Sequence, residues 1–561
     1  MRVGIPTPFF LVLLKGYRFQ VFLAFICIVL ANLSALAFPW FLKTLLDGFL
    51  FQKTPAVFPQ IFSLLAASIF LKMLLDYQGS WIGLKTAEKI IADLREKVYG
   101  HFLRLPVTAV ENLSTGELIS RVMSDTESIK RFLFGGLLDF AYSALSAFFV
   151  ILVLFWLDPL FALASASGVL LFLLIYGRMT EKIKLSYDFL RQGNAQLSGI
   201  AGEAFRGVRT VHIFGGQTHE MQKFRKKQNE ILRDSLRIHQ IDSWFLASAQ
   251  FLSSAGILAA LIYGANQAAQ KKMTPGTLVA FYAYLGLLFI PLLKMTALAS
   301  SYREACASWG RIRFWVDQNP LSIPPPVYAK PRDLLGHIRF ERVRYSYPGS
   351  EPVFWDAEFE IRAGEWVALS GTNGSGKTTL ACLLARLFEP ESGKIFLDHQ
   401  DIRSFPNEDY PKYVSVILQN DFLFSGALSE NIRYGTAGAK AEMISRAAQI
   451  TGIHNFISDL PDGYESKTGE GGVRLSSGQR QRVSLARAIL KDPAVLILDE
   501  AMCHFDEDGV SEVMETIRSI RRHKTTLLIS HRASALRYVD RIFSLKQAKI
   551  MEENRAGCDA L

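Results

Sequence analysis

Long runs without a single charged residue recur through the N-terminal half of the chain. They are Phe19 to Leu42, Thr54 to Leu71, Phe140 to Leu157, Pro159 to Gly177, Ser243 to Gln270 and Met273 to Leu293. Each supplies roughly the 17–25 residues that a helix needs to cross a bilayer. Six such runs in succession predict an all-α membrane domain rather than the core of a soluble one. The two long connections between runs are polar but keep helical periodicity, as in Ala87, Ile90, Ile91, Leu94 and Val98. The spanning helices should therefore continue past the bilayer. At about 1.5 Å per residue, some 25 extra residues project by about 40 Å. Pro106, Ser114-Thr115-Gly116 and Gly215-Gly216 predict turns near the middle of these connections. The pattern then changes. Pro320 and Pro324-Pro325-Pro326 mark a stiff linker over 319–336. From 337 to 561, short strands alternate with helices, as in a soluble α/β domain. The membrane domain is placed at 1–318.

Composition agrees with this division. Half of the 561 residues (50%) are hydrophobic and 20% are charged. The net charge of +10 could suggest a nucleic-acid partner, but its placement argues against one. The connections Tyr77 to Arg131 and Arg178 to Asp242 hold 8 and 12 Lys/Arg, whereas the other connections hold only Lys43, Lys53, Lys271 and Lys272. That asymmetry puts the long connections and both termini in the cytoplasm, as expected for a multi-pass protein of the cytoplasmic (inner) membrane. The apolar segment 5–14, with Pro6 and Pro8, is too short to span and is expected at the membrane surface. It lacks the cleavage site of a removable signal peptide. The five cysteines are scattered, without metal-ligand spacing or a disulfide framework.

Candidate chemistry is concentrated in the C-terminal domain. Gly371-Thr372-Asn373-Gly374-Ser375-Gly376-Lys377-Thr378-Thr379 has the form of a phosphate-binding loop. It follows an apolar strand, Trp366 to Leu369, and opens into a helix, as that motif requires. The glycines allow backbone N–H groups to converge on phosphate oxygens at the positive end of the helix. Lys377 is suited to the β- and γ-phosphates and Thr378 to Mg²⁺. Further on, Val495-Leu496-Ile497-Leu498-Asp499-Glu500 reads as a buried strand ending in two carboxylates. Asp499 would hold Mg²⁺ through water, and Glu500 would act as general base on the attacking water. Leu475-Ser476-Ser477-Gly478-Gln479 is a small-residue turn at a helix N-terminus, a second anion site. One nucleotide reaches both sites only if two such domains meet face to face.

The order Gly371–Thr379, Gln419, Leu475–Gln479, Asp499–Glu500 and His531 resembles the nucleotide-binding domain of ABC transporters, over essentially the whole C-terminal domain. Six spans fused ahead of it are similar to the type IV exporter branch. Leu105-Pro106, Thr115-Gly116-Glu117-Leu118, Glu203-Ala204, Gly207 to Val211 and Phe214 to Gln217 look most like bacterial lipid-A and multidrug exporters. The resemblance implies that Tyr347 stacks on adenine and that Gln419 contacts Mg²⁺ and the water. It also implies that His531 meets the γ-phosphate, that Ser476, Gly478 and Gln479 close over the partner subunit's ATP, and that Glu470 links nucleotide state to the cytoplasmic helix turns. ATP and Mg²⁺ are the implied cofactors. The implied partners are a second six-span subunit, membrane lipids and a lipid or amphiphilic cargo.

Two departures bear on pairing. Ser477 replaces the family's usual Gly, and Ala501-Met502-Cys503-His504-Phe505-Asp506 replaces Ala-Thr-Ser-Ala-Leu-Asp. A homodimer is the expected arrangement, since every catalytic residue is present. The alternative is one subunit of a heterodimeric drug or peptide exporter. An ATP-gated channel is the alternative from another class, and a membrane-tethered ATPase acting on nucleic acid is disfavoured by the spans. Three charges lie within or at the end of a span. Lys72 and Asp76 are four apart and placed to neutralise each other. Lys294 lacks an acidic neighbour in its own span and is a candidate to select anionic cargo or to snorkel to the interface.

Overall fold

The computed structural model describes residues 14–48, 58–111, 113–160, 162–163, 189–190, 192–270, 272–317, 334–419, 422–546 and 549–553. Contacts divide the chain into two units: Met1–Gly100 with Thr115–Asp317, and His101–Ser114 with Gln318–Leu561. The linker expected over 319–336 and the surface segment 5–14 fall almost entirely outside the described residues.

The described residues of the first unit form helices joined by short turns. Its long helices are α1 (Arg18–Asp47), α2 (Phe58–Phe102), α3 (Thr115–Leu157), α4 (Gln217–Ala269) and α5 (Pro275–Val316). Among the described residues, three helices are long and apolar enough to cross a membrane: Lys15–Asp47, Pro59–Phe102 and Thr115–Leu157. A shorter apolar helix covers Pro275–Leu288. The fifth apolar run lies on α4, and the fourth, Pro159 to Gly177, falls mostly outside the described residues. α2 is a single helix of 45 residues, so it continues well past its apolar run. The expected turns are present. α2 stops at Phe102, a five-residue helix covers Val107–Glu111, and Gly215 takes φ +63° just before α4 begins.

At one end of α1, the Asp47 carboxylate caps α5. It accepts from the Gly276 N–H at 3.0 Å and the Thr274 hydroxyl at 2.8 Å. Nearer the other end of α5, a polar cavity of about 660 Å³ is lined by α3 and α5. There Asp125, 4% exposed, pairs with the Arg311 guanidinium, and Arg121 approaches it to 3.4 Å. Burying a carboxylate is costly unless such partners offset the lost hydration.

The second unit is α/β. Its strands are β1 (Ile338–Ser346), β2 (Pro352–Ile361), β3 (Trp366–Ser370), β4 (Ser392–Leu397), β5 (Gln400–Asp401), β6 (Val414–Ile417), β7 (Val495–Asp499), β8 (Thr525–Ile529), β9 (Arg541–Lys546) and β10 (Lys549–Glu553). One sheet is antiparallel, in the order β2-β1-β4-β5. The other runs β10-β9-β3-β8-β7-β6 and is parallel from β9 to β6. β7 and β8 are buried along their whole length, which is why they read as unbroken apolar runs. Helices α6 (Lys377–Leu384), α7 (Ser477–Lys491) and α8 (Glu507–Ile520) complete the frame. α6 packs into the core between the sheets, and α7 and α8 bury apolar faces against the other side of the parallel sheet.

Candidate functional site: a phosphate loop facing two carboxylates

The site forms where parallel strands end, the side on which an open α/β sheet presents its ligands. β3 runs into the loop Gly371 to Gly376, and α6 begins at Lys377 with Gly376 as its N-cap at φ +105°. A side chain at Gly376 would be strained by that φ and would collide with Val353. Lys377 is 8% exposed and donates to the carbonyls of Gly371 and Thr372 at 2.7 and 2.9 Å. Burial lowers its pKa, and nearby Glu500 and Asp499 oppose that shift. Ser375 Oγ is buried without a hydrogen-bond partner among the described residues. Tyr347 is 39% exposed. Its hydroxyl lies 3.0 Å from Thr379 Oγ1, and its ring meets Tyr345 and Phe388 edge-on.

β7 delivers the two carboxylates to the same place. Asp499 is 2% exposed, and burial raises its pKa although the Thr378 hydroxyl donates to it. Its Oδ2 has no hydrogen-bond partner among the described residues. A desolvated carboxylate with a free oxygen beside a threonine hydroxyl is the oxygen-donor set that Mg²⁺ takes. The site therefore fits the cation on its own chemistry. Glu500 sits at φ +49°, a conformation that turns its side chain out of the strand direction, and Gln419 Nε2 donates to its Oε2 at 2.7 Å. Lys377, Thr378, Asp499, Glu500 and Gln419 thus converge. His531 lies exposed just after β8, the strand between β3 and β7.

The Leu475-to-Gln479 turn, the signature of the sequence resemblance and its second anion site, stands at the start of α7. Ser476 caps the helix: its Oγ accepts from Gln479 N at 3.2 Å, and Gln479 Oε1 accepts from Ser476 N at 2.9 Å. Gly478 is needed for close approach, because a Cβ there would sit 3.1 Å from the His504 carbonyl oxygen. The divergent loop after Glu500 is partly core. Met502 and Phe505 are each 4% exposed, and Arg482 lies over the Phe505 ring at 4.3 Å. Sequence reasoning assigned nothing to Gln481 and Arg532, which both hydrogen-bond this loop. In the membrane unit, Lys72 Nζ donates to Asp76 at 2.6 Å, so these two do neutralise each other. The side chains of Lys294 and Glu470 lie outside those described.

Fold and site together define a phosphate-loop nucleotide hydrolase fused to a helical membrane domain. Residues 21–292 match the ABC transporter transmembrane region and residues 354–503 match the ABC transporter family. A Bacillus subtilis protein named for multidrug export, an ATP-binding/permease protein, is 30% identical over 552 residues, covering 96% of this chain and 94% of its own. An ATP-dependent lipid A-core flippase of Alkalilimnicola ehrlichii is 31% identical over 554 residues, covering 94% of this chain and 90% of its own. The structure of a bacterial Atm1-family ABC exporter with ATP bound has the same fold, with a TM-score of 0.84 at 24% identity, covering 96% of this chain and 95% of that one. The chain belongs to the ABC transporter family and is a multi-pass, ATP-hydrolysing membrane transporter.

Proposed function

We propose that the chain is half of a dimeric exporter that uses ATP to move a lipid, or another hydrophobic or amphiphilic small molecule, across the cytoplasmic membrane. The similarity to lipid A-core flippases and multidrug exporters over nearly the full chain supports the cargo class. The observation that carries the ATPase assignment is Asp499, buried with a free oxygen opposite the phosphate loop. In this reading residues 1–318 form the transport domain and 337–561 the engine.

The main-chain N–H groups of Gly371 to Thr379, with Lys377, hold the phosphates, and Tyr347 faces adenine. Thr378, Gln419 and Asp499 would hold Mg²⁺, whose positive charge would offset the negative charge of the transferring phosphoryl group. Glu500 takes the proton of the attacking water, and His531 contacts the γ-phosphate. Ser476, Gly478 and Gln479 close over the partner subunit's nucleotide. The capping box between Ser476 and Gln479 uses the N–H groups of those two residues, which leaves the first-turn N–H groups of Ser477 and Gly478 for an anion at the positive end of α7. Closure of the two engines turns the transport domains outward, and hydrolysis resets them. A homodimer is favoured, because this chain carries both halves of the composite site.

The test uses full-length protein in proteoliposomes, comparing parent with Glu500→Gln. The variant is expected to bind ATP but to lose at least about 100-fold in hydrolysis, with cargo movement lost in parallel. Near-normal turnover in the variant would overturn the base assignment. Hydrolysis in the parent that no lipid or drug stimulates, with none moved, would overturn the export reading.

A further inference from the structure

Gln481 lies on α7 and is 5% exposed. Its side-chain amide is engaged entirely by one short turn. Nε2 donates to the main-chain carbonyl of Glu500 at 3.3 Å and to Sγ of Cys503 at 3.0 Å. Oε1 accepts the His504 N–H at 3.2 Å. Two donors and one acceptor are thus matched, in a place where water cannot replace them. The turn they grip begins at Glu500, whose positive φ a non-glycine residue adopts only when its surroundings impose it. Arg532, the neighbour of His531, also donates to the carbonyls of Phe505 and Cys503, at 2.5 and 3.2 Å. A Cβ at Gly478 would sit only 3.1 Å from the His504 carbonyl oxygen, so α7 leaves little room between itself and the turn. The first two turns of α7 and the turn that aims Glu500 are therefore one hydrogen-bonded piece.

The geometry points to Gln481 as a positioning residue for ATP hydrolysis, one that sets the Glu500 turn from the signature helix and delivers movement of α7 to that carboxylate. The inference rests on the reading of Glu500 as general base. Gln481 itself bonds the main chain and thiol of the turn rather than the reacting atoms. A glutamine that merely satisfied buried main-chain groups would affect melting, and it would lower turnover only as far as it unfolded the site. A positioning residue lowers turnover with nucleotide binding intact, because the phosphate loop does not depend on it.

The experiment uses the full-length protein in proteoliposomes. Gln481→Leu keeps the volume and removes all three hydrogen bonds. Its kcat is expected to fall roughly 10- to 100-fold, with KM for ATP and the affinity for a fluorescent ATP analogue within about threefold of the parent. In a Glu500→Gln background, the same substitution is expected to leave residual hydrolysis unchanged, because the two act as a unit. Gln481→Asn keeps the amide but withdraws it by one methylene. It should lose turnover in the same way, and it decides the matter if the leucine variant does not fold. A kcat within twofold of the parent, a loss of nucleotide affinity equal to the loss of kcat, or a full additional loss in the Glu500→Gln background would each overturn the inference. Near-normal hydrolysis by Glu500→Gln alone would instead overturn the general-base reading, whatever the Gln481 variants do.

Discussion

In the proposed site Asp499 sets stability against function, and the size of the conflict can be worked out. Its carboxylate is buried, accepts one hydrogen bond from Thr378, and leaves Oδ2 with none. Asp499→Asn keeps the shape and removes the desolvated charge. An unsatisfied buried polar group costs about 1–3 kcal/mol, and more when charged. The attraction of Lys377 and the Thr378 bond offset part of that, and the new amide N–H groups lack partners of their own. A net gain of about 1 kcal/mol is expected for the nucleotide-free protein. For a domain of this size that is a rise of roughly 2–4 °C in Tm.

The pH dependence fixes the sign. Burial raises the folded-state pKa of Asp499 above its unfolded value of about 3.9, so the native state binds the proton more tightly. Stability of the parent then falls as pH rises between those two values. The asparagine variant's advantage is complete above the folded pKa and fades as pH drops towards about 4. With ATP and Mg²⁺ the order inverts. A ligand at about 100 times its Kd stabilises by about 2.7 kcal/mol, and the variant forgoes the part that the cation contributes. Melting of the detergent-solubilised full chain, with and without ATP and Mg²⁺ across this pH range, reads both effects. If the variant melts below the parent without nucleotide near pH 7.5, or shows the parent's full Mg²⁺-dependent rise, the account of Asp499 is wrong.

Two further outcomes are expected. Gly478→Ala places a methyl 3.1 Å from the His504 carbonyl, so turnover should fall more than about tenfold although alanine is the better helix former by about 1 kcal/mol; unchanged ATPase activity would show that the loop yields freely. Arg311→Leu leaves the buried Asp125 with Arg121 at 3.4 Å as its nearest cation and should cost about 3 kcal/mol, with most of it recovered by adding Asp125→Asn. Survival of folded protein after graded heating, followed by size-exclusion chromatography, measures both, and equal survival of the single variant and parent would refute the estimate.

The parts of this protein that could be read from sequence are those set by neighbours along the chain. The phosphate loop needs glycine where φ is positive and a lysine at the first turn of α6, all within nine consecutive residues. The buried strands β7 and β8 announce themselves because both faces are covered, so no polar alternation interrupts them. The helix turns at Pro106 and Gly215-Gly216 were legible from backbone chemistry alone. What stayed hidden depends on packing between distant segments. Arg311 and Asp125 lie 186 residues apart, and nothing in either local pattern pairs them. Gln481 sits inside a recognisable motif, but its role is set by a turn that reaches it from β7. The loop Met502 to Phe505 read as a departure at an interface. Half of it is a change in core packing, since Met502 and Phe505 are buried against α7 and α8.

The second unit is not one continuous stretch of chain. His101–Ser114, with its five-residue helix, belongs by its contacts to Gln318–Leu561, although it is embedded in the sequence of the first unit. A cut at the proline-rich linker would therefore separate the engine from a segment with which it shares its contacts. For anyone building chimaeras the unit of exchange is two segments, and grafting a foreign cassette behind the linker would pair it with an insert fitted to another surface. The same constraint acts on inheritance. A crossover at the linker separates two stretches that must match, so recombinants between distant relatives start with a mismatch that later substitutions have to repair.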